Sequence, residues 1–211
     1  MGNTVGSANT DFCNFRIDKG RAYIIGLWCA DGYTRTSSIG ISNTDITLVN
    51  RFKEFFLSLF PEDRLKLDVY YPDQYKRRTE AYHLYVNSRP LVRKFRDFKK
   101  NAARFIDQDL IIPYFAGRFD GDGSVAINFY SDCRIVYGNF EEAKHDLEMI
   151  KSLGFGGIKI YYYRTARTFC LYISRMETNK FLSFIHPYSI KLQKSVFAPR
   201  RDLIQQRSER S

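Results

Sequence analysis

The sequence repeats itself once, and this repeat constrains the fold more than any other feature. Residues 24–32 read IIGLWCADG and residues 115–123 read FAGRFDGDG, so both copies end in a small residue, Asp and Gly. A second match follows in the same order, with LYVNSR at 84–89 and LYISR at 171–175. Two ordered matches at a similar offset predict a chain built from two related halves. We place the halves at residues 1–100 and 101–211.

Both halves show the same order of predicted elements. In the first half, hydrophobic spacing predicts helices at 20–31, 48–59 and 89–100, a hairpin at 33–42, and strands at 64–71 and 80–87. In the second half it predicts helices at 108–121, at 140–153 and from 177, with strands at 124–130, 133–138, 157–164 and 167–174. Asn139 and Glu142 have capping-box spacing, and Gly154 is expected to end that helix. The predicted fold is α+β, with two pseudo-symmetric α-β-β-α-β-β-α halves and antiparallel sheets.

Small residues spaced four apart mark one face of the first helix in each half. They are Gly26 with Ala30 in the first half, and Gly117 with Gly121 in the second. Residues four apart share a helix face, and small side chains there allow two helix backbones to approach closely. We therefore expect these two helices to pack against each other along a pseudo-twofold axis.

Asp31 and Asp122 occupy matching positions at the ends of these helices. A carboxylate at a helix C-terminus faces the negative pole of the dipole, and a second carboxylate beside it adds repulsion. Divalent metal ions would relieve this arrangement, because Mg²⁺ is often held by one or two carboxylates together with substrate phosphate oxygens. A single Asp-Gly pair would be better interpreted as a turn, but the repeat favours a metal site. We expect Gly32 and Gly123 to adopt the left-handed conformation that often ends a helix.

The charge balance favours a polyanionic partner. Lys and Arg number 33 against 23 Asp and Glu, a net charge of +10 that is spread over both halves. Nucleic acid is the first candidate and an anionic membrane the second. The four cysteines lack metal-site spacing, which favours a reducing compartment. Without a long apolar run or a signal-peptide core, we expect a soluble protein of the cytoplasm, nucleoid or organelle matrix.

With these residues in view, the sequence resembles the single-chain LAGLIDADG homing endonucleases over residues 18–200. The copy at 115–123 is close to the family motif, whereas the copy at 24–32 is looser because Trp28 and Cys29 stand where the motif has Ile and Asp. The resemblance implies a monomeric, intron-encoded nuclease whose two sheets form a DNA-binding saddle. Such an enzyme binds a long, asymmetric double-stranded DNA site and hydrolyses one phosphodiester bond on each strand.

The resemblance also implies the groups of the active site. The metal ligands would be Asp31 and Asp122, with the carbonyl oxygens of Ala30 and Gly121. The cofactor would be Mg²⁺, as two or more divalent ions, with Mn²⁺ or Ca²⁺ able to substitute for binding.

Basic and amide side chains are expected around the metals. The run HPYSIKLQK at 186–194 is similar to the family's Pro-containing turn followed by lysines, so either Lys191 or Lys194 is a candidate. Lys99 or Lys100 occupies the corresponding region of the first half, and Asn43 stands where the family often has a water-positioning amide. For each of them, an ordinary phosphate contact or a solvated side chain stays an open alternative.

Alternation along the predicted strands separates inward-facing apolar residues from outward-facing polar and aromatic ones. The inward sets are Leu65, Leu67 and Val69; Val125, Ile127 and Phe129; and Ile158, Ile160 and Tyr162. The outward sets suit a β-ribbon in a major groove, although a solvated sheet face would show the same pattern. The predicted DNA contacts are Arg35, Ser38, Ser42, Lys66, Asp68, Tyr70, Lys76, Arg77, Arg78, Ser124, Asn128, Tyr130, Arg134, Lys159, Tyr161, Tyr163 and Arg167. The tail residues Arg200, Arg201, Arg207 and Arg210 are expected to meet phosphates.

Two other classes of function stay open. One is a LAGLIDADG protein that binds nucleic acid without cutting it, either an RNA-splicing maturase or a DNA-binding regulator. The other is a basic scaffold domain that uses the small-residue helices only for packing. The presence of both aspartates favours the nuclease.

Overall fold

The computed structural model describes residues 15–71, 80–125 and 132–194. The first half contains α1 (Lys19–Asp31), β1 (Gly32–Arg35), β2 (Ser38–Asn43), α2 (Ile46–Leu57), β3 (Lys66–Tyr70), β4 (Ala81–Asn87) and α3 (Arg89–Lys100). The second half contains α4 (Ile111–Asp122), β5 (Gly123–Val125), β6 (Cys133–Tyr137), α5 (Phe140–Ser152), β7 (Ile158–Tyr163), β8 (Thr168–Ile173) and α6 (Arg175–Ile185). A short helix α7 (Ile190–Lys194) follows. The predicted α+β class and the repeated order of elements are confirmed.

Some sequence predictions fall outside the described residues. They are the proposed DNA contacts Lys76, Arg77, Arg78, Asn128 and Tyr130, the inward residues Ile127 and Phe129, and the arginines of the tail.

Each half folds its strands into one antiparallel four-stranded sheet. The strand orders are β1-β2-β4-β3 and β5-β6-β8-β7, so the two sheets have the same topology. In the first sheet, α2 and α3 pack on one face, where Ile39, Ile41, Leu84 and Val86 are buried. A single hydrophobic core runs through both halves and is rich in phenylalanine. Among the described residues, no helix has the length and apolar character needed to cross a membrane.

Helices α1 and α4 pack backbone to backbone at their glycines, as the small-residue spacing predicts. A Cβ added at Gly117 would overlap the carbonyl oxygen of Tyr23 and lie 2.6 Å from the backbone nitrogen of Leu27. A Cβ at Gly26 would overlap the carbonyl oxygen of Tyr114 in the same way. Further along the pair, Gly121 lies against Ala30. The helices therefore run side by side in the same direction and bring their C-terminal ends together.

The expectation that Gly32 and Gly123 are left-handed is wrong. Their backbones are extended, with φ of −68° and −86°, and they begin strands β1 and β5. A Cβ at Gly32 would lie 2.5 Å from the indole ring of Trp28, and a Cβ at Gly123 would lie 2.5 Å from the carbonyl oxygen of Phe119. Glycine is therefore required by the tight passage from helix to strand. In contrast, Gly154 has the positive φ of 82° expected after α5.

The cap of α5 differs in part from its prediction. Asn139 Oδ1 accepts hydrogen bonds from the backbone nitrogens of Glu141 and Glu142, as expected of an N-cap. The Glu142 carboxylate lies 3.6 Å from the Arg118 guanidinium, and no hydrogen bond back to the cap is recorded among the described residues. The Glu142 carboxylate therefore pairs with the buried Arg118 and not with the backbone N–H of Asn139, which a capping box would require.

The inward face of the two edge strands is less buried than alternation predicts. Leu67 and Val69 on β3 are 47% and 52% exposed, and Tyr162 on β7 is 54% exposed. Helix α2 packs against β2 and β4, the inner strands, so β3 extends past the helical cover. Leu67 and Val69 share the helix-facing side of the sheet, but no helix within the described part of the chain reaches far enough to bury them.

Candidate metal and DNA-binding site

Two carboxylates meet where α1 and α4 end. Asp31 is the last residue of α1 and Asp122 the last residue of α4. The space beside Gly121 is so narrow that an added Cβ would lie 3.0 Å from Asp31 Oδ2. Burial, followed by repulsion from Asp122, raises the pKa of Asp31 to about 6. Burial also raises the pKa of Asp122. The crossing of the helices thus holds two like charges together, at a cost that a bound cation would remove.

Asn43 contacts one member of this pair through a hydrogen bond of defined direction. Its Nδ2 donates to Asp31 Oδ2 at 2.7 Å, and its Oδ1 accepts from the backbone nitrogen of Asp45 at 2.7 Å. Because the backbone nitrogen can only donate, the amide has one orientation. Asn43 therefore serves Asp31 as a hydrogen-bond donor to one carboxylate oxygen.

Lys191 and Lys99 flank the pair in equivalent positions. Lys191 Nζ donates to the carbonyl oxygen of Gly123 at 3.1 Å and lies 5.7 Å from the ring of Phe119. Lys99 Nζ lies 5.9 Å from the ring of Trp28, the residue that matches Phe119 in the repeat. Both ammonium groups partly offset the rise in the pKa of Asp122. Each half thus contributes one lysine to the site.

Lys194, the alternative to Lys191, lies elsewhere. Its Nζ is 2.8 Å from both carboxylate oxygens of Asp45 and 2.6 Å from Thr47 Oγ1, at the start of α2. Lys100 is exposed at the end of α3. The structure therefore brings Lys191 and Lys99 to the carboxylate pair and leaves Lys194 and Lys100 outside it.

Asp120 determines where Lys191 lies, and the sequence analysis did not identify this role. Its buried carboxylate accepts hydrogen bonds from Tyr23 Oη, Ser189 Oγ and the backbone nitrogens of Ile190 and Lys191. Three of these donors belong to the start of α7, so α7 is anchored directly to the motif helix. The available signal in the sequence is an aspartate on a helix face whose other residues are small and apolar.

A second buried polar cluster supports the second half. Arg118 is 1% exposed; its Nε donates to Asp146 Oδ2 at 3.0 Å and its guanidinium lies over the ring of Tyr137. The hydroxyls of Tyr114 and Tyr137 also donate to Asp146. This cation reduces the rise in the pKa of Asp122 more than either lysine does. No sequence spacing joined these residues, so the cluster was not predicted.

Most of the predicted DNA contacts share one face in each sheet. Cross-strand partners and alternate residues lie on the same face of a sheet. By this register the first sheet presents Arg35, Ser38, Ser42, Lys66, Asp68 and Tyr70 on the side away from the helices. The second sheet presents Ser124, Arg134, Lys159, Tyr161 and Tyr163 in the same way. Arg167 lies in the turn between β7 and β8, with a positive φ of 53°.

These faces begin at the carboxylate pair, because β1 and β5 follow directly after Asp31 and Asp122. The same register adds His83, Tyr85 and Tyr172, which are not among the predicted contacts although the alternation of β4 and β8 carries the signal for them. Some of the polar residues have partners already: Ser42 and Tyr70 hydrogen-bond each other, and Arg134 is 2.6 Å from Asp132.

The residues present fit a hard divalent cation. Among the described residues, no group of three or more His, Cys, Asp or Glu could form a complete metal cage. A pair of carboxylates with nearby main-chain carbonyls is instead the donor set that Mg²⁺ uses when substrate phosphates supply further ligands. Asp31 and Asp122, with the carbonyl oxygens of Ala30 and Gly121, would hold such an ion.

Comparison with known proteins shows a domain family and solved folds to which this chain is similar. Residues 18–98 match the family model of the LAGLIDADG-like domain. The paired helices and the two duplicated sheets are similar to the fold of the homing endonuclease I-DmoI, a similarity that the sequence resemblance implied. A search of curated proteins by sequence finds no match.

Solved structures with the same fold include homing endonucleases and the protein DUF199/WhiA. The homing endonuclease I-DmoI in complex with its target DNA is 18% identical, with a TM-score of 0.60 over 84% of this chain and 98% of that chain. The N-terminal LAGLIDADG domain of DUF199/WhiA is 17% identical, with a TM-score of 0.59 over 88% and 92%. The homing endonuclease I-WcaI, bound to its DNA recognition sequence, is 14% identical, with a TM-score of 0.56 over 90% and 91%. At these identities the likeness shows the fold alone.

Proposed function

We propose that this protein is a site-specific DNA endonuclease of the homing type. It binds a long, asymmetric double-stranded site as a monomer and hydrolyses one phosphodiester bond on each strand with divalent metal ions. The observation that carries this proposal is the meeting of Asp31 and Asp122 at the ends of two helices, with Lys99 and Lys191 beside them. Such a site combines metal-binding carboxylates with groups that can stabilise charge on a phosphate.

Each residue of the site has a separate task in this reaction. When bound, the metal ions supply an activated water and stabilise the leaving oxygen. Asp31 and Asp122 hold them, and Asn43 orients one oxygen of Asp31. Lys191 and Lys99 place positive charge where it would stabilise a phosphate as negative charge develops on its oxygens. Structures of I-DmoI with DNA and either Ca or Mn support divalent metal use at a fold of this kind.

The open sheet faces would bind DNA in two ways. Lysines and arginines at their margins would contact phosphates, which gives affinity and register. Polar and aromatic side chains at the centre, such as His83 on β4 and Tyr172 on β8, would contact base edges in the major groove. The two faces share Lys66 and Lys159 at one matching position but differ at another, where Asp68 matches Tyr161, and such differences support an asymmetric site and a single polypeptide.

The decisive experiment is a cleavage selection from a randomised duplex library in Mg²⁺, followed by assay of the recovered sequence. The wild-type protein should convert a supercoiled plasmid carrying that sequence to linear product. Asp31→Asn and Asp122→Asn should each bind the same duplex and leave it uncut. Double-strand cutting at the normal rate by either variant would show that the metal assignment is wrong.

A second candidate is a nucleic-acid binder that does not cut, a maturase or a DNA-binding regulator. The likeness to DUF199/WhiA, whose fold is shared with the nucleases, supports this second candidate function. Sequence-specific binding without cleavage in either Mg²⁺ or Mn²⁺ would support this candidate.

A further inference from the structure

A chain of polar contacts joins the last described helix to Asp31 in the opposite half. Lys194, on α7, binds both carboxylate oxygens of Asp45 at 2.8 Å. Asp45 donates its backbone N–H to Asn43, and Asn43 donates to Asp31. Lys194 and Asp45 are 149 residues apart in sequence, so this contact forms only when both halves are folded together.

Each contact in the chain restricts the next one. Asp45 is the N-cap of α2, where its Oδ1 accepts from the backbone nitrogen of Thr47 at 2.9 Å. Lys194 binds the same carboxylate and also Thr47 Oγ1, so it holds the cap residue and the first turn together. The position of Asp45 then determines where its N–H points, and this N–H fixes the amide orientation of Asn43. The final hydrogen bond to Asp31 depends on that orientation.

Among the described residues, the second half has no equivalent of this chain of contacts. The sheet registers pair Gly32 with Ile41 and Gly123 with Ile135, so Tyr137 stands where Asn43 stands in the first half. Tyr137 is buried and donates to Asp146, away from Asp122. Within the described residues the contact chain therefore serves Asp31 alone.

The contact between Lys194 and Asp45 is poorly suited to a purely stabilising role. Their side chains are 45% and 35% exposed, and exposed ion pairs contribute little to folding stability. A second ion pair, between Lys53 on α2 and Glu62 at 2.7 Å, has side chains 35% and 71% exposed and, among the described residues, makes no contact with the site. The difference between these two pairs is their connection to Asp31.

We propose that Lys194 is a positioning residue for the Asp31 carboxylate, acting through Asp45 and Asn43. The C-terminal helix of one half thereby sets the metal-binding geometry of the other half. This inference rests on the proposed function, because it takes Asp31 to be a metal ligand.

The single tryptophan of the chain allows a direct test of metal binding. Trp28 lies one helical turn before Asp31, so Tb³⁺ bound at the carboxylate pair should show emission sensitised by selective excitation of tryptophan. Asn43→Ala should weaken Tb³⁺ binding by roughly tenfold, the loss typical of removing a partner of a metal ligand. Lys194→Met should produce a similar loss, and the double variant should bind no more weakly than the worse single variant. Lys194→Arg, which keeps the ion pair, should restore binding, and Lys53→Met should bind like the wild type.

A second measurement examines the contact chain without any metal. In the metal-free protein, the side-chain amide protons of Asn43 should exchange faster in Lys194→Met than in the wild type or Lys53→Met, as followed by NMR. Exchange and Tb³⁺ binding that match those of Lys53→Met would overturn the inference. So would additive losses in the double variant. If Asp31→Asn and Asp122→Asn leave sensitised emission unchanged, the proposed metal site fails instead, while the exchange data still decide whether Lys194 positions Asn43.

Discussion

Replacing Gly117 with alanine tests whether the contact between α1 and α4 is as tight as the structure indicates. The added methyl group would overlap the Tyr23 carbonyl oxygen and lie 2.6 Å from the backbone nitrogen of Leu27. Carbon and oxygen atoms in ordinary contact are about 3.5 Å apart, so the helices must separate by more than an ångström. Both contacting atoms belong to the backbone, so no change of side-chain rotamer can relieve the overlap.

The size of the effect follows from two opposing contributions. Overpacking a tight contact costs about 1–3 kcal/mol, and the upper part of that range applies where only backbone can move. Alanine offsets this by about 1 kcal/mol through its higher helix propensity. We therefore expect Gly117→Ala to lower the free energy of unfolding by about 2 kcal/mol.

Gly20→Ala supplies the matched control. It lies on α1, where the nearest atoms to an added Cβ belong to side chains and are 3.4 Å and 3.8 Å away. It should be neutral or stabilising by up to about 1 kcal/mol. Urea unfolding, followed by circular dichroism and Trp28 fluorescence, measures both changes in the free energy of unfolding. The comparison requires that the slope of this free energy against urea concentration is the same in the variants and the wild type. Equal stability of Gly117→Ala and Gly20→Ala would refute close backbone packing at the crossing.

Three further predictions address the site. The pKa of Asp31 is raised to about 6 in the metal-free folded protein, whereas an aspartate in the unfolded chain has a pKa of about 4. Between about pH 6 and pH 4, Asp31 is therefore protonated in the folded protein and ionised in the unfolded chain. Asp31→Asn should therefore raise the melting temperature at about pH 8 in chelator and lose this advantage near pH 4; a gain that is independent of pH would contradict this. Asp120→Ala should lower the free energy of unfolding by about 3 kcal/mol, because several buried donors lose their acceptor. Hydrogen exchange at the Ile190 amide should then be faster, and unchanged protection would disprove the anchoring role. Lys191→Met should slow cleavage by roughly 100-fold with little change in DNA affinity, whereas Lys180→Met on α6 should cut normally; equal rates for the two variants would remove Lys191 from the site.

Local patterns were sufficient to predict the order of elements and the central helix pair. Hydrophobic periodicity depends on neighbours within a few residues, and the repeat provided each interpretation with a second, independent copy. Gly26 and Gly117 could be recognised as contact residues because residues four apart share a helix face, so the small residues of that face can be read from the sequence. The carboxylates Asp31 and Asp122 follow from the same pair of motifs.

The contacts that complete the site could not be predicted from local patterns. Lys191 and Lys194 are three residues apart, and which one reaches the carboxylates depends on how Asp120 anchors α7. Asp45 is separated from its partner Lys194 by 149 residues. Likewise, Glu142 satisfies the capping pattern but binds Arg118, because only the folded core reveals a buried cation nearby.

The backbone contact between α1 and α4 has a consequence for how the DNA sequence preference of such a protein can change. The separation of the two acidic residues is determined by main-chain atoms touching at Gly26 and Gly117, and no residue of the open sheet faces takes part in that contact. In an endonuclease of the proposed kind, substitutions on the faces would therefore alter which base pairs are recognised without altering the stagger between the two cuts. For an enzyme of the proposed kind, sequence preference can drift during evolution while the form of the broken DNA ends stays constant.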